Sequence, residues 1–314
     1  MCIRDRLADA NAETILAGAV PFPGKWLDPP RSGVPRAAAM AMVENGYHDE
    51  AVDYIKQLLP MYETMAAAES DSAKRDRLAE AGSLHRFLAA IRFDQRVFDE
   101  ALDHYQKALV AAPNNAGTLR EIARTHTELG NNDAAGNALE QLVELQPKNN
   151  EHLATLASLR LKQERVADAI ALYERALAEK FDPRVAFEVA KLCERSKKFA
   201  DAIRHYGAAW DVAPSPVVGN NLAWLLATVN DDELRDGDRA VEVATKAVEM
   251  TRGQVPEILS TLAAAQAEAG DFVAAVDTTQ KAIELAKAQG KPPLVEELEK
   301  SLKLFEGEQP YRAE

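Results

Sequence analysis

Small apolar residues recur along the chain at a nearly constant interval. From residue 101 onward an alanine returns every 33 to 38 residues, and one more lies 50 residues before residue 101. We call these seven residues the anchors: Ala51, Ala101, Ala135, Ala169, Ala202, Ala240 and Ala275. Apolar residues follow most anchors at the fourth and seventh positions. Because positions 0, 4 and 7 share one face of an α-helix, each anchor predicts a helix packed closely against a neighbour.

A second helix is predicted before each anchor. Six anchors have an alanine twelve residues earlier, and in the Ala240 unit the equivalent residue is Ala223, which implies a loop about five residues longer. Gly46, Gly130 and Gly270 lie five residues before their anchors, where a helix must end in a turn that requires positive φ. Prolines follow three anchors after twelve residues and cannot continue a helix. The pattern therefore predicts consecutive helical hairpins, with about fifteen helices beyond residue 35.

This register resembles that of the tetratricopeptide repeat (TPR) family over roughly residues 36–285. The units at 83–113, 116–147 and 151–179 carry the resemblance most strongly. From residue 220 onward the chain resembles a C-terminal TPR module frequent in large bacterial proteins, although Gln266 stands where an aromatic residue is common. The resemblance implies an all-α fold, an α-solenoid of about seven TPR helical hairpins with a C-terminal capping helix.

Changes in composition along the chain predict how it is divided into segments. Residues 1–6 resemble translated sequencing-adapter sequence, as in a metagenomic fragment, and the alternative is an ordinary charged N-terminus. On the adapter interpretation we expect the gene to be cut at its 5′ end. The further segments are a Pro-rich connector at 7–35, a first hairpin at 36–64, an insertion at 65–81, an array of about six hairpins at 82–290, and a capping helix with a tail at 291–314.

Composition and motifs exclude several classes of function. Asp and Glu outnumber Lys and Arg by 50 to 37, and a net charge of −13 argues against nucleic-acid binding, which needs a clustered positive field. No apolar run is long enough for a transmembrane helix. Phosphate loops, nucleophile elbows and metal-ligand spacings are absent from the sequence, so no cofactor, metal or catalytic residue is predicted. The six histidines are interpreted as surface or boundary residues, and Cys193 as a small core hydrophobe.

The remaining activity is binding. In the TPR family the first helix of each hairpin lines a concave groove, at about 15, 14 and 11 residues before the anchor. Those positions place Arg86, Arg120 and Arg124 in one register, where they predict a basic spot for acidic or carboxylate groups of a ligand. The alternative is that Arg120 and Arg124 simply pair with neighbouring glutamates. The other groove candidates are Lys191, Asn220, Asn221 and Trp224, and the resemblance implies that Asn221 bonds the backbone of an extended ligand.

These observations predict a non-catalytic scaffold that binds a peptide or protein segment, including acidic ones, in the groove of a TPR solenoid. One alternative is the interaction region of a larger enzyme, such as a kinase, glycosyltransferase or hydrolase, whose catalytic domain is lost by 5′ truncation. Another is self-association, with Trp210 and Trp224 near the contact between copies. The Lys and Asn combination with which chaperone-binding TPR proteins clamp a C-terminal carboxylate is not reproduced in adjacent units, so chaperone docking is not predicted.

Overall fold

The computed structural model describes residues 34–68 and 70–313, and every regular element in those ranges is helical. The interpretations of residues 1–6 and of most of the connector concern residues that lie outside them. The described residues form two compact units, the first ending at residue 147 and the second beginning at residue 148. The described helices of the first unit are α1 Val34–Glu44, α2 His48–Ala68, α3 Asp71–Asp94, α4 Phe98–Ala111, α5 Ala116–Glu128 and α6 Asn132–Leu145.

The described residues of the second unit, 148–313, contain nine α-helices and one short 3₁₀ turn. They are α7 Asn150–Lys162, α8 Val166–Glu179, α9 Pro183–Arg195, α10 Phe199–Val212, α11 Pro216–Thr228, the 3₁₀ turn Asp232–Leu234, α12 Gly237–Met250, α13 Pro256–Glu268, α14 Phe272–Ala288 and α15 Pro292–Glu306. Successive helices pair into hairpins from α1–α2 to α13–α14, and α15 packs on α14. The predicted all-α fold of about seven hairpins followed by a C-terminal helix is therefore confirmed for the described residues.

The anchors are the points of closest packing in both units. All seven have no exposed surface. The alanines twelve residues earlier, and Ala223 in the sixth hairpin, are also buried. The 3₁₀ turn lies between Ala223 and the next anchor, and it accounts for the longer loop that the spacing predicts. Because alanine has the smallest side chain with a Cβ, these positions let the two helices of a hairpin share a dense contact.

The residues from 65 to 81 lie at the end of α2 and the start of α3. These two helices contain 21 and 24 residues, whereas the helices of the hairpins that follow contain 13 to 17. Tyr62 on α2 is buried in the same core as Ala81 and Leu84 on α3. The extra length is thus packed within the first unit and lengthens its second and third helices.

Helices α10 and α11 of the second unit approach each other closely at Gly219 and Trp210. A Cβ added to Gly219 on α11 would lie 2.5 Å from Cζ3 of Trp210 on α10, a distance that real Cβ contacts do not show. Glycine therefore lets the backbone of α11 lie directly on the indole ring. The N-terminus of α11 is fixed by Ser215, whose hydroxyl accepts a hydrogen bond from the amide of Val218. These contacts bring the exposed face of α11 beside α10.

Candidate functional site

The three arginines predicted as a basic spot in the first unit each contact other groups of the protein. Arg120 and Arg124 are exposed on α5, and their guanidinium groups lie 3.4 and 3.6 Å from the carboxylate of Glu121. Arg124 also lies over the ring of Phe93, 4.3 Å from its centroid. The pairing alternative accounts for these two arginines, although exposed ion pairs of this kind contribute little to stability.

Arg86 is held by a different group. Its side chain is half-buried on α3, and Nη1 donates a hydrogen bond of 3.4 Å to Oδ1 of Asn115. The same oxygen accepts from the amide of Thr118 and so caps the N-terminus of α5. The structure therefore brings Arg120 and Arg124 together at Glu121 and places Arg86 at the cap of α5.

A cavity of about 570 Å³ lies in the second unit, where α9, α10 and α11 meet. It is lined by three cationic side chains, three aromatic side chains, several polar groups and a few apolar ones. These residues are Lys191, Arg195, Lys197, Phe199, Tyr206, Trp224, Glu194, Asn221, Thr228, Asn230, Leu225, Val229 and Ala313. The predicted groove residues Lys191, Asn221 and Trp224 are among them, while Asn220 lies beside the cavity on α11.

A chain of hydrogen bonds orients the polar groups of the cavity. The hydroxyl of Tyr206 donates to Oε2 of Glu194 at 2.8 Å, and Nδ2 of Asn221 donates to that hydroxyl at 3.2 Å. Nδ2 of Asn220 lies 3.5 Å from Oδ1 of Asn221, and Asn220 itself accepts a hydrogen bond of 2.8 Å from Thr261 on α13. The amide of Asn221 is therefore held in one orientation by groups on both sides.

Tyr206 is the central residue of these hydrogen bonds, because its hydroxyl donates to Glu194 and accepts from Asn221. Burial raises the pKa of its hydroxyl far above the ordinary value of a tyrosine, and the hydrogen bond to Glu194 raises it further. The hydroxyl is therefore protonated at any physiological pH and acts as a donor to the carboxylate. The amide of Asn221 donates one of its two N–H groups to this hydroxyl, and among the described residues the other has no hydrogen-bond acceptor.

The cavity carries excess positive charge in an acidic protein. The ammonium group of Lys191 is 3.1 Å from Glu188 and 5.4 Å from the ring centroid of Phe187. In the described part of the chain, the side chains of Arg195 and Lys197 have no hydrogen bond or ion pair with another group. Three cations thus line the cavity, against a single lining carboxylate, that of Glu194. An anionic group would meet a favourable potential there.

The residues at the turn between α9 and α10 were not predicted as part of a site. The sequence argument considered only positions on the first helix of each hairpin, whereas Arg195 and Lys197 lie seven and five residues before the anchor Ala202. The signal was the run of cations in the segment Arg195-Ser196-Lys197-Lys198. Tyr206, four residues after the anchor, was counted as a packing position, and its hydroxyl reaches the cavity from the buried side.

Residues 309–313 of the tail return to the end of α11. The amide of Ala313 donates to the carbonyl of Thr228 at 3.0 Å, and Nδ2 of Asn230 donates to the carbonyl of Ala313 at 2.9 Å. The ring of Tyr311 lies on the indole of Trp224, with 5.3 Å between centroids. The tail therefore forms part of the wall of the cavity.

The two tryptophans offered for self-association differ in exposure. Trp210 is 8% exposed and packs against Gly219. Trp224 is half-buried and lies against Tyr311.

The interpretation of all six histidines as surface or boundary residues is wrong for three of them. His85, His152 and His205 are buried. Nδ1 of His85 lies 3.0 Å from Nδ1 of His104, so one ring donates a hydrogen bond to the other, and Nε2 of His205 lies 3.2 Å from Oε1 of Glu174. The spacing of apolar residues within one helix did not predict the burial of His85, because its hydrogen-bond partner His104 lies on the other helix of the hairpin. Cys193 is fully buried, as predicted, and burial raises the pKa of its thiol.

The described residues lack two further features. No group of three or more His, Cys, Asp or Glu side chains there is placed to hold a metal ion. Among the same residues, none of the helices combines the length and the apolar character that crossing a membrane requires.

The chain was compared with known families and structures. The sequence model of the family described as the tetratricopeptide repeat protein 21 C-terminal ARM domain matches residues 56–230, more than half of the chain. The C-terminal part of a TPR repeat-containing protein from Cytophaga hutchinsonii is 15% identical, with a TM-score of 0.51, over 80% of this chain and 95% of that one. At such identities the likeness concerns the fold alone.

Two further solved structures are similar. A tetratricopeptide repeat protein from Parabacteroides merdae is 18% identical, with a TM-score of 0.44, over 86% of this chain and 97% of that one. YrrB, described as a TPR protein with an unusual peptide-binding site, is 14% identical, with a TM-score of 0.47, over 58% of this chain and 91% of its own.

Proposed function

We propose that this chain, which belongs to the family of the tetratricopeptide repeat protein 21 C-terminal ARM domain, is a non-catalytic scaffold that binds an extended protein segment in the cavity of its second unit. The observation that carries the proposal is the cavity itself, where aromatic rings, an oriented amide and three cations converge in about 570 Å³. A volume of this size holds a few residues of an extended chain, and aromatic walls with a few oriented polar groups are typical of binding sites.

The charge of the lining indicates the polarity of the ligand. Lys191, Arg195 and Lys197 favour a segment with acidic side chains or a carboxylate. Hydrogen bonds between charged groups contribute about 1.5–3 kcal/mol each, and 1.4 kcal/mol corresponds to a tenfold change in affinity. Two of these contacts therefore suffice to make an acidic segment bind at least tenfold more tightly than a neutral one.

The amide of Asn221 supplies the second element of recognition. Its orientation is set by Tyr206 and Asn220, and its second N–H can donate to a backbone carbonyl of the ligand. Such a contact is independent of the ligand's side chains and favours an extended segment. Trp224 contributes apolar surface beside it. In this proposal Arg86, Arg120 and Arg124 form a secondary contact region, because they do not line the cavity.

The experiment is selection of ligands from a displayed library of ten-residue peptides, followed by affinity measurements on variants. Acidic peptides are expected to be enriched on the wild-type chain. The variant Lys191→Glu/Arg195→Glu should weaken their binding at least tenfold, because attraction is replaced by repulsion. The control is Arg175→Glu, which changes the charge of an exposed residue on α8 that does not line the cavity.

A parallel variant, Arg120→Glu/Arg124→Glu, tests the secondary region in the first unit. We expect less than a threefold change for it. Selection of peptides that bind all four proteins equally would overturn the assignment of the cavity, and a loss confined to the Arg120→Glu/Arg124→Glu variant would move the site to α5.

A further inference from the structure

The tail occupies one end of the cavity in the manner of a bound peptide. Thr228 is the last residue of α11, so its carbonyl has no partner within the helix, and the amide of Ala313 supplies one at 3.0 Å. Asn230 then donates to the carbonyl of Ala313 at 2.9 Å. Both backbone groups of Ala313 are thus bound, which is how an extended segment is held without reference to its side chain.

The two preceding residues add recognition by side chains. Tyr311 lies on Trp224 with 5.3 Å between ring centroids. Nη1 of Arg312 lies 2.6 Å from Oε2 of Glu268 and donates to the carbonyl of Ala227 at 3.4 Å. Glu268 is only 13% exposed in its side chain and is also bonded by Arg235 at 2.8 Å. The surface therefore has three subsites in order, for an aromatic ring, a guanidinium group and a small residue.

Residues 309–313 are held by contacts at the surface of the second unit. None of the residues from 309 to 313 is buried, whereas every helix of the second unit contributes residues to the core. The segment is joined to α15 through Gly307 and Glu308, and Glu308 has a positive φ of 54°, a conformation that disfavours residues other than glycine. Segments with few buried contacts open at a small fraction of the global free energy of unfolding.

We infer that residues 311–313 are a displaceable intramolecular ligand, and that the surface they cover is a binding site for external protein segments with an aromatic residue, an arginine and a small residue in that order. The inference rests on the proposed function, because this surface is one end of the same cavity. The inference adds a second specificity to the proposed function. Glu268 favours a positive side chain at the end covered by the tail, whereas Lys191, Arg195 and Lys197 favour acidic side chains at the other end.

The test uses the full chain and a synthetic peptide, acetylated Gln-Pro-Tyr-Arg-Ala amide with a fluorescent label. In the variant Tyr311→Ala/Arg312→Ala the tail loses its two side-chain contacts and vacates the surface. We expect this variant to bind the peptide at least tenfold more tightly than the wild type does. A peptide in which glutamate replaces the arginine should bind at least tenfold more weakly. Circular dichroism melting verifies that the variant is folded.

A second variant protects the test against misfolding. Ala313→Pro removes a single backbone donor at an unburied position, and it should increase the binding of the labelled peptide about threefold or more. In the Tyr311→Ala/Arg312→Ala background, Glu268→Gln should abolish the preference for arginine over glutamate in the peptide.

Three results would overturn the inference: absence of peptide binding to both released variants, equal affinity for wild type and released variants, or equal binding of the arginine and glutamate peptides. Each leaves the proposed function standing if acidic library peptides still depend on Lys191 and Arg195. Loss of that dependence, with the labelled peptide still bound by the released variants, would instead overturn the proposed function and keep the tail site.

Discussion

In six of the seven hairpins the residue five positions before the anchor has the same conformation whether or not it is glycine, and the exception is Arg235, which follows the 3₁₀ turn and has a φ of −81°. Gly46, Gly130 and Gly270 have φ values of 87°, 75° and 86°. The equivalent residues of three other hairpins, Arg96, Glu164 and Lys197, have φ values of 60°, 61° and 57°. The amide of the next residue bonds the carbonyl five residues earlier, as in Val97 to Arg92. In these six hairpins the turn therefore imposes a positive φ on whichever residue stands at this position.

The shared positive φ of glycine and non-glycine residues at this turn predicts a stabilising substitution. A residue other than glycine loses roughly 1–2 kcal/mol in the left-handed region, while glycine loses about 0.5–1 kcal/mol more backbone entropy on folding. Glu164→Gly should therefore raise the free energy of unfolding by about 0.5–1 kcal/mol, measured by urea titration. The control Lys162→Gly, inside the last turn of α7, should lower it by a similar amount. A destabilised Glu164→Gly variant would contradict the argument.

The pair of His85 and His104 makes the first unit sensitive to acid. Burial lowers the pKa of both rings, and burial together with the neighbouring His85 brings that of His104 to about 4. The groups facing the pair are Glu63 at 3.8 Å from His85, Asp103 at 4.0 Å from His104, and Lys107, which pairs with Asp103. The hydrogen bond between the rings requires at least one unprotonated nitrogen.

The sign follows from proton binding. Between about pH 4 and the ordinary histidine value of 6.5, the unfolded chain binds a proton that folded His104 does not. The free energy of unfolding should therefore fall as the pH decreases from 7.5 to 4.5, with about 2 kcal/mol of the loss due to His104. Urea titrations of wild type and His104→Gln at both pH values measure this difference. His48→Gln, which removes an imidazole from an exposed position, is the control variant.

At the scale of the helix, the anchors decide how closely two helices approach. Ala169 is fully buried on α8, in one core with Ala157 on α7 and Ala186 on α9. Ala169→Leu should lower the free energy of unfolding by roughly 1–3 kcal/mol, since three added carbon atoms have no space there. Thermal and urea unfolding measure it. The matched control is Ala171→Leu on the exposed face of the same helix, where a change below about 0.5 kcal/mol is expected. Equal stabilities would show that the anchor contact is loose.

Element positions could be predicted because the hairpins repeat one local rule. Seven anchors, their preceding alanines and the turn glycines identified the helices, and even the longer loop before Ala240 was visible as a change of spacing. The periodicity within single helices was weaker: α7, which carries His152, has polar and apolar residues mixed around its circumference. Burial of His152 and of His85 depends on partners from other helices, which no spacing within one segment encodes.

At the scale of the whole molecule, the site was predictable only in part. Lys191, Asn221 and Trp224 were predicted because first-helix positions line grooves in the TPR family, and all three line the cavity. The pairing of Arg120 and Arg124 with Glu121 was one of two alternatives that the sequence left open. Contacts of the tail with Trp224, Thr228 and Glu268 join residues between 44 and 87 positions apart, and no repeat rule connects them.

The tethered tail has a consequence for the concentration of ligand to which the cavity responds. A segment joined by a short linker is present at its site at an effective concentration in the millimolar range, whatever the dilution of the protein. If the tail is bound in about ten molecules of every eleven, an external segment needs roughly ten times its intrinsic dissociation constant to half-saturate the surface. A free peptide that reaches only the subsites of residues 311–313 is thereby rejected. A ligand that is also anchored by Lys191 and Arg195 is held beside the surface at a high effective concentration, as the tail is, and can therefore displace it. The cavity thus selects partners that engage both of its ends.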